Sequence, residues 1–284
     1  SFSLVAQSCP CGCSSLGSLV LNTGERYRFE LTMEREDNLR TKFSPYGPIQ
    51  KRGAADSIYL FRTSIAAALT ENLSWSLSLP VSQNRSSHHS SKSNSSVADP
   101  TVGLRWTFLQ QPYLQPTRPL LALSTSLKSP ISKSGYDDSG DVDPLSIHGN
   151  GFWEISPRVE AIFGYQQVVW SFAQGIVKRL DRQTGTMLIS PGNVHQTNIT
   201  CSYMWPGRGQ VTLGFLRDRV EPSLHTGVKI FTSSSTTNSA SLTANIRIGN
   251  QRTLILSYSD LLDIPDNSRP KGLRKIGLGF AQII

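Results

Sequence analysis

Nine ionisable residues stand at alternating positions in segments whose remaining small side chains are Ser, Thr, Gly or Ala: Arg28, Glu30, Arg62, Arg105, Lys128, Arg158, Glu160, Arg247 and Lys275. Seven are cationic and two acidic. Gathered on one enclosed face, such an excess of positive charge is focused by low-dielectric walls and favours anionic or polar solutes. The same residues can instead neutralise one another, Arg158 with Glu160 and Arg28 with Glu30, and brace a packed wall. A second candidate is the stretch "CPCGC", which places Cys9, Cys11 and Cys13 on alternate residues. That spacing closes a disulfide poorly and suits capture of a soft metal, Cu(I) or Zn, or a bond to a partner protein. A lipid on Cys9 and a redox-idle leader are the remaining readings of this stretch.

Catalytic chemistry is not legible. His88, His89, His148, His195 and His225 fall in or beside polar stretches, none next to a G-x-S-x-G nucleophile motif. Asp137, Asp138, Asp141 and Asp143 resemble a calcium loop only in composition, without its closing glutamate. The expectation is a protein that is not an enzyme and holds no cofactor beyond a thiolate-bound metal.

The elements that carry these residues have period 2. In "LSWSLSLPV", Leu73, Trp75, Leu77, Leu79 and Val81 alternate with Ser74, Ser76 and Ser78. The same alternation sets Tyr27, Phe29, Leu31 and Met33 against Arg28, Glu30 and Thr32, and Val102, Leu104, Trp106 and Phe108 against Gly103, Arg105 and Thr107. It recurs through Val159–Tyr165, Val168–Ile176, Ile199–Trp205, Val211–Phe215, Leu242–Ile248, Leu254–Tyr258 and Ile276–Ile284. Alternation over so many segments predicts about 12 strands and an all-β chain. Cys201 takes the apolar parity, where it is chemically inert.

The connections alternate between short and long. Short ones fall at Glu71-Asn72, Gln166, Pro206–Gly209 and Gly249-Asn250, with a modest one over Gln111–Thr117. Long polar ones cover Asn38–Asp56, Ser86–Ser96, Pro130–Asn150, Asp181–Gly192, Pro222–Asn238 and Leu262–Lys271. Tight turns at one end and long loops at the other are the pattern of a transmembrane up-and-down antiparallel β-barrel in the Gram-negative outer membrane. Trp75, Trp106, Trp170 and Trp205 all fall near the short-turn end on the apolar parity, as an interfacial girdle requires.

Composition decides which face is outside. Only 17% of residues are charged and 38% are hydrophobic. A soluble barrel with these strands would expose a surface of Ser, Thr and Gly, which is a poor solvent-facing surface. Turned outward, the Leu, Trp and Val face meets hydrocarbon, and the hydroxylated face encloses water. No run of about 18 apolar residues is present, so a transmembrane helix is excluded while membrane-crossing strands are not. The 28 basic and 20 acidic residues leave a formal charge of +8. The basic residues are scattered and no recognition-helix pattern accompanies them, which excludes nucleic acid as the expected partner. "SFSLVAQS" at Ser1–Ser8 reads either as the remainder of a cleaved export signal or as an ordinary terminus.

"LTENLSWSLSLPVS", "ADPTVGLRWTFL", "PLLALSTSLKSPIS" and "GNGFWEISPRVEAIFGYQQVVWSFAQGIVKRL" resemble, in order and spacing, the outer-membrane transporter-like barrels associated with the meta-pathway of phenol degradation. The resemblance runs over about Ser57–Ile284, rests on strand patterns, and the Cys-rich leader departs from it. It implies an outer-membrane barrel that passes small molecules, and assigns no substrate residue. The sequence thus predicts a periplasmic Cys-containing segment over 1–25 and a barrel over 26–284. The expected role is a passive channel for small polar, anionic or aromatic solutes. The alternative is a non-transporting barrel that anchors an envelope complex, with a periplasmic protein partner bound through the N-terminal segment. Outer-membrane lipid and lipopolysaccharide are the expected surroundings.

Overall fold

A computed structural model describes residues 25–38, 57–85, 93–110, 118–132, 151–184, 187–226, 228–230, 234–249, 251–262 and 273–283. Every regular element among them is a strand: β1 (Tyr27–Asn38), β2 (Ser57–Ala68), β3 (Leu73–Arg85), β4 (Ser93–Val97), β5 (Thr101–Leu109), β6 (Leu120–Lys128), β7 (Glu154–Ile155), β8 (Arg158–Tyr165), β9 (Val168–Arg179), β10 (Arg182–Thr184), β11 (Met187–Ser190), β12 (Val194–Trp205), β13 (Gly209–Val220), β14 (Ser223–His225), β15 (Val228–Ile230), β16 (Ser235–Arg247), β17 (Arg252–Leu261) and β18 (Leu273–Ile283).

Each long strand pairs antiparallel with its neighbours in the chain, and β18 returns to pair with β1, from Arg28↔Ile283 to Asn38↔Leu273. The result is a closed 12-strand barrel. Two of its staves are broken in the upper half, and a proline marks each break. Pro100 separates β4 from β5, and both segments pair with β3, on either side of Pro80. Pro157 separates β7 from β8, and both segments pair with β6 and β9. A proline has no N–H to give a ladder, so it is tolerated where the ladder is already interrupted. Gly175 faces the second break. A Cβ there would lie 2.9 Å from the Pro157 carbonyl oxygen, so the bend needs a residue without one.

The tight turns use left-handed backbone where their residues permit it. Gln166 has φ 52° in the turn from β8 to β9, and Gly207 has φ 73° in the turn from β12 to β13. Gly209, two residues on, has φ 149°, and a Cβ on it would sit 2.0 Å from the Asn245 carbonyl oxygen. Only glycine fits there.

The expected facing holds. On β5, Val102, Leu104, Trp106 and Phe108 are 46–52% exposed, while Gly103, Arg105 and Thr107 between them are buried. Trp106, Trp170 and Trp205 are exposed on the outside near the short turns, and Trp75, close by on β3, is half-buried. Trp106 lies against Phe108 at 5.6 Å and Trp205 meets Tyr203 edge-on at 5.4 Å, so these rings form paired patches. Such rings with one polar edge belong at the boundary between headgroup and acyl chain.

Three of the stretches expected to be loops contain strand. Asp181–Gly192 and Pro222–Asn238 contain β10, β11, β14 and β15, which form a separate four-stranded sheet through the pairs Ile189↔His225 and Ser190↔Leu224. Ser86–Ser96 likewise contains the start of β4. Strands of three to five residues without apolar alternation carry no period-2 signal, which is why the sequence reads as loop there.

At the foot of the small sheet Glu221 accepts a hydrogen bond from the Asn193 amide at 2.7 Å and meets His195 Nε2 at 2.8 Å. These bonds hold its carboxyl below the ordinary glutamate value of 4.5, the contact with His195 contributing most. A depressed carboxylate contributes its stabilisation fully above the unfolded value and loses it as pH falls through the lower, folded one. The protection factors of the Val194 and Ser223 amides, taken relative to the intrinsic exchange rate at each pH, should therefore fall on acidification below 4.5, and should already be reduced at neutral pH in Glu221→Gln. A second prediction concerns the outer face: Leu213→Arg, at a residue 60% exposed on the outside of β13, should cost about 2–4 kcal/mol in urea unfolding from lipid vesicles. An unchanged midpoint would show that this face does not meet hydrocarbon.

Candidate functional site: the charged lumen

The inner face is set by strand parity and is overwhelmingly polar. Among the described residues, 22 polar or charged side chains are buried against 13 hydrophobic ones, and six of the latter are alanines. An interior of that composition is not a hydrophobic core. Its hydroxyls pair across strands: Ser64 donates to Ser78 at 3.1 Å, Ser171 and Thr200 meet at 2.6 Å, and Ser202 and Thr212 at 2.9 Å.

The expected lumen residues are mostly on this face, and nearly all are paired. On the wall formed by β18, β1 and β2, Arg28 reaches Glu30 at 3.5 Å and Glu25 at 3.9 Å. Above it Arg62 reaches Glu34 at 3.6 Å and Lys275 reaches Glu36 at 3.3 Å. On the wall formed by β5, β6, β8 and β9, the Arg105 guanidinium donates to Glu160 Oε2 at 3.0 Å and to Thr107 Oγ1 at 3.1 Å. Arg158 approaches the other oxygen of Glu160 at 3.7 Å. Towards the long-loop end, Lys128 lies 3.4 Å from Glu154 and 3.7 Å from Asp99, and Arg179 Nε donates to Glu154 at 2.8 Å. Asp99 Oδ1 accepts from both the amide and the hydroxyl of Ser132.

The expected excess of positive charge is therefore corrected. Glu34, Glu36, Asp99, Glu154 and Asp218 join the two acids read from the sequence, and the interior is close to balance. Sequence parity missed them for a physical reason. Strands β1 and β13 run on to Asn38 and Val220, beyond the level where the outer residues are apolar, so the alternation fades while the inward parity continues. Asp99 and Glu154 sit beside the proline breaks, where there is no regular pattern to extend. Arg179 was missed likewise, near the end of β9. Arg247 has inward parity but is the last residue of β16, and it is exposed at the short-turn rim instead of lining the path.

The remaining candidates divide simply. Cys9, Cys11, Cys13, His88, His89, His148 and the four aspartates from Asp137 to Asp143 lie outside the described residues. Cys201 is a free thiol on the outer face, in register with Trp170 and Leu213. His195 points outward on β12. Among the described residues no group of three His, Cys, Asp or Glu side chains is placed to hold a metal ion.

Among the described residues, outward-facing charge on the long strands lies towards their ends. Arg217 and Arg219 are exposed on β13 above the exposed Phe215 and Leu213, and Arg35 stacks over Tyr59 with its guanidinium 5.8 Å from the ring centre. Cations just above hydrocarbon-facing side chains stand where anionic lipid headgroups lie.

The chain is a transmembrane β-barrel of the kind that spans the Gram-negative outer membrane. It is similar in fold to an outer membrane channel from Pseudomonas putida F1, at 10% identity and a TM-score of 0.66 over 95% of this chain and 98% of the other. It is similar also to the porin NanC, at 9% identity and a TM-score of 0.55 over 89% of this chain and 100% of that one. The transport unit of the autotransporter AIDA-I from Escherichia coli follows at 8% identity and 0.52, over 95% and 94%. No protein-family model matches the sequence, and no curated protein is similar to it in sequence.

Glu160 is the hinge of the charged cluster, since two guanidiniums depend on it. Removing one member of a buried pair leaves an uncompensated charge and costs about 3–5 kcal/mol, whereas removing both members costs far less. Glu160→Gln should accordingly be destabilised by about that amount in urea unfolding. The double variant Glu160→Gln with Arg105→Gln should recover part of the loss, and strict additivity of the two changes would deny the coupling.

Proposed function

We propose that the barrel is a passive diffusion channel for small polar, anionic or aromatic solutes. The observation that carries this reading is the inward placement of hydroxyl, amide and paired charged side chains on every stave, in a barrel whose outer belt is apolar. A wall of that kind is a hydrated surface, and twelve strands leave a narrow passage. The likeness in fold to an outer membrane channel and to a porin supports the reading.

Near-balanced lumen charge has a consequence for selectivity. Field focusing between low-dielectric walls depends on an excess of one sign. Opposed ion pairs create local fields with little net preference, so small solutes of either charge can enter. The outward Arg217 and Arg219 fit the phosphates of lipopolysaccharide as the lipid partner at the long-loop rim.

Purified protein in planar bilayers should give discrete conductance steps in potassium chloride, with a reversal potential close to zero in a salt gradient. Liposomes carrying it should swell in pentoses and small carboxylates and fail to swell in trisaccharides. A barrel with no current and no solute flux would end the channel reading.

A further inference from the structure

On β8 the lumen-facing residues Arg158, Glu160 and Ile162 follow one another at two-residue intervals, which places them about 6.6–6.8 Å apart along the wall. The upper part of this line is charged. Arg105 and Arg158 share the single carboxylate of Glu160, so two positive charges and one negative leave a formal surplus of one. The pairing also leaves donors unspent. Arg105 Nε and both Nε and Nη2 of Arg158 are buried without a hydrogen-bond partner, the 3.7 Å contact of Nη2 with Glu160 being ionic and too long for a hydrogen bond. Asn198, 2% exposed, lies two strands away in the same register row: Glu160 and Asn198 are each paired with Ala173, from β8 and β12 respectively. Its amide nitrogen and oxygen have no partner either.

One step towards the short-turn end the wall changes character. Ile162 and Val169 are buried at 6% and 3%, and Leu120 and Met204 pack against them. Ile162 is in register with Leu120 on β6 and with Ser171 on β9, so the apolar patch lies directly beneath the charged cluster. A hydrated passage has no need of a cluster of apolar side chains on its inner wall. Buried donors left unmet carry a desolvation penalty that a matching acceptor removes.

We propose that this stretch of wall is a subsite for small amphipathic carboxylates. The anionic head takes the unspent N–H groups of Arg105 and Arg158, with the Asn198 amide as a further donor. A compact apolar body of about the size of one aromatic ring lies on Ile162, Val169 and Leu120. The separation between the two layers matches the distance from a carboxylate to the far edge of such a ring. Polyhydroxylated acids are disfavoured, because their hydroxyls would be set against the apolar layer without partners. The subsite rests on the channel reading, and narrows its solute class.

The test uses the full chain reconstituted in planar bilayers, with benzoate, gluconate and benzyl alcohol as probes. Benzoate should interrupt or carry the current at concentrations about tenfold lower than gluconate, and benzyl alcohol should act weakly. Arg158→Gln should remove the advantage of benzoate over benzyl alcohol, and Arg158→Lys should restore part of it. Ile162→Ser should remove its advantage over gluconate. Folding of each variant is read from the heat-dependent gel mobility of the barrel. Chloride current with equal responses to benzoate and gluconate would overturn the subsite and leave the channel standing. If no current is seen in any solution, the channel reading falls. Isothermal titration of the detergent-solubilised protein then decides the subsite, and absence of benzoate binding overturns it.

Discussion

The structure depends on one constraint: in hydrocarbon every backbone N–H and C=O must find a partner within the protein. An open sheet fails this at its two edges. Pairing of β18 with β1 removes both edges at once, and the remaining features follow from that closure. Because side chains alternate across a pleated strand, a closed wall has one face for lipid and one for the enclosed space. The outer face can then be selected for bulk and the inner for polarity, residue by residue. That is the division seen on β5, where Trp106 and Phe108 face out while Arg105 and Thr107 face in.

Closure also concentrates charge. A narrow lumen surrounded by apolar walls makes a lone ion costly, since the low dielectric withholds the solvation that water provides. Bases of the inner wall therefore stand beside acids, in i, i+2 pairs within a strand such as Arg28 with Glu30, or across strands such as Arg62 with Glu34. Compensation is incomplete where two guanidiniums share Glu160, and that local remainder is the most distinctive electrostatic feature of the interior.

The architecture was legible in the sequence because its cause, alternation against lipid, acts on every residue of the membrane-crossing segments. Strand number, facing and the tryptophan level all follow from it. The interior was less legible, since inward positions are constrained only to be polar, and polar residues of either sign satisfy that demand. Arg105, Arg158 and Glu160 were visible as inward residues, but not that they would meet as two bases on one acid, because pairing needs the registers of β5, β6 and β8. Glu34, Glu36 and Asp218 lay on strand extensions whose outer faces are no longer greasy. The small sheet was invisible for a different reason: the seam that joins its two hairpins links residues far apart in the chain, and its strands are too short to show a pattern.

That small sheet stitches together two excursions of the chain, the one between β9 and β12 and the one between β13 and β16, through Ile189↔His225 and Ser190↔Leu224. Excursions that are free of one another can each change in length and composition independently. These two cannot. An insertion in either must preserve the seam they share, so the lengths of the two excursions are tied to each other.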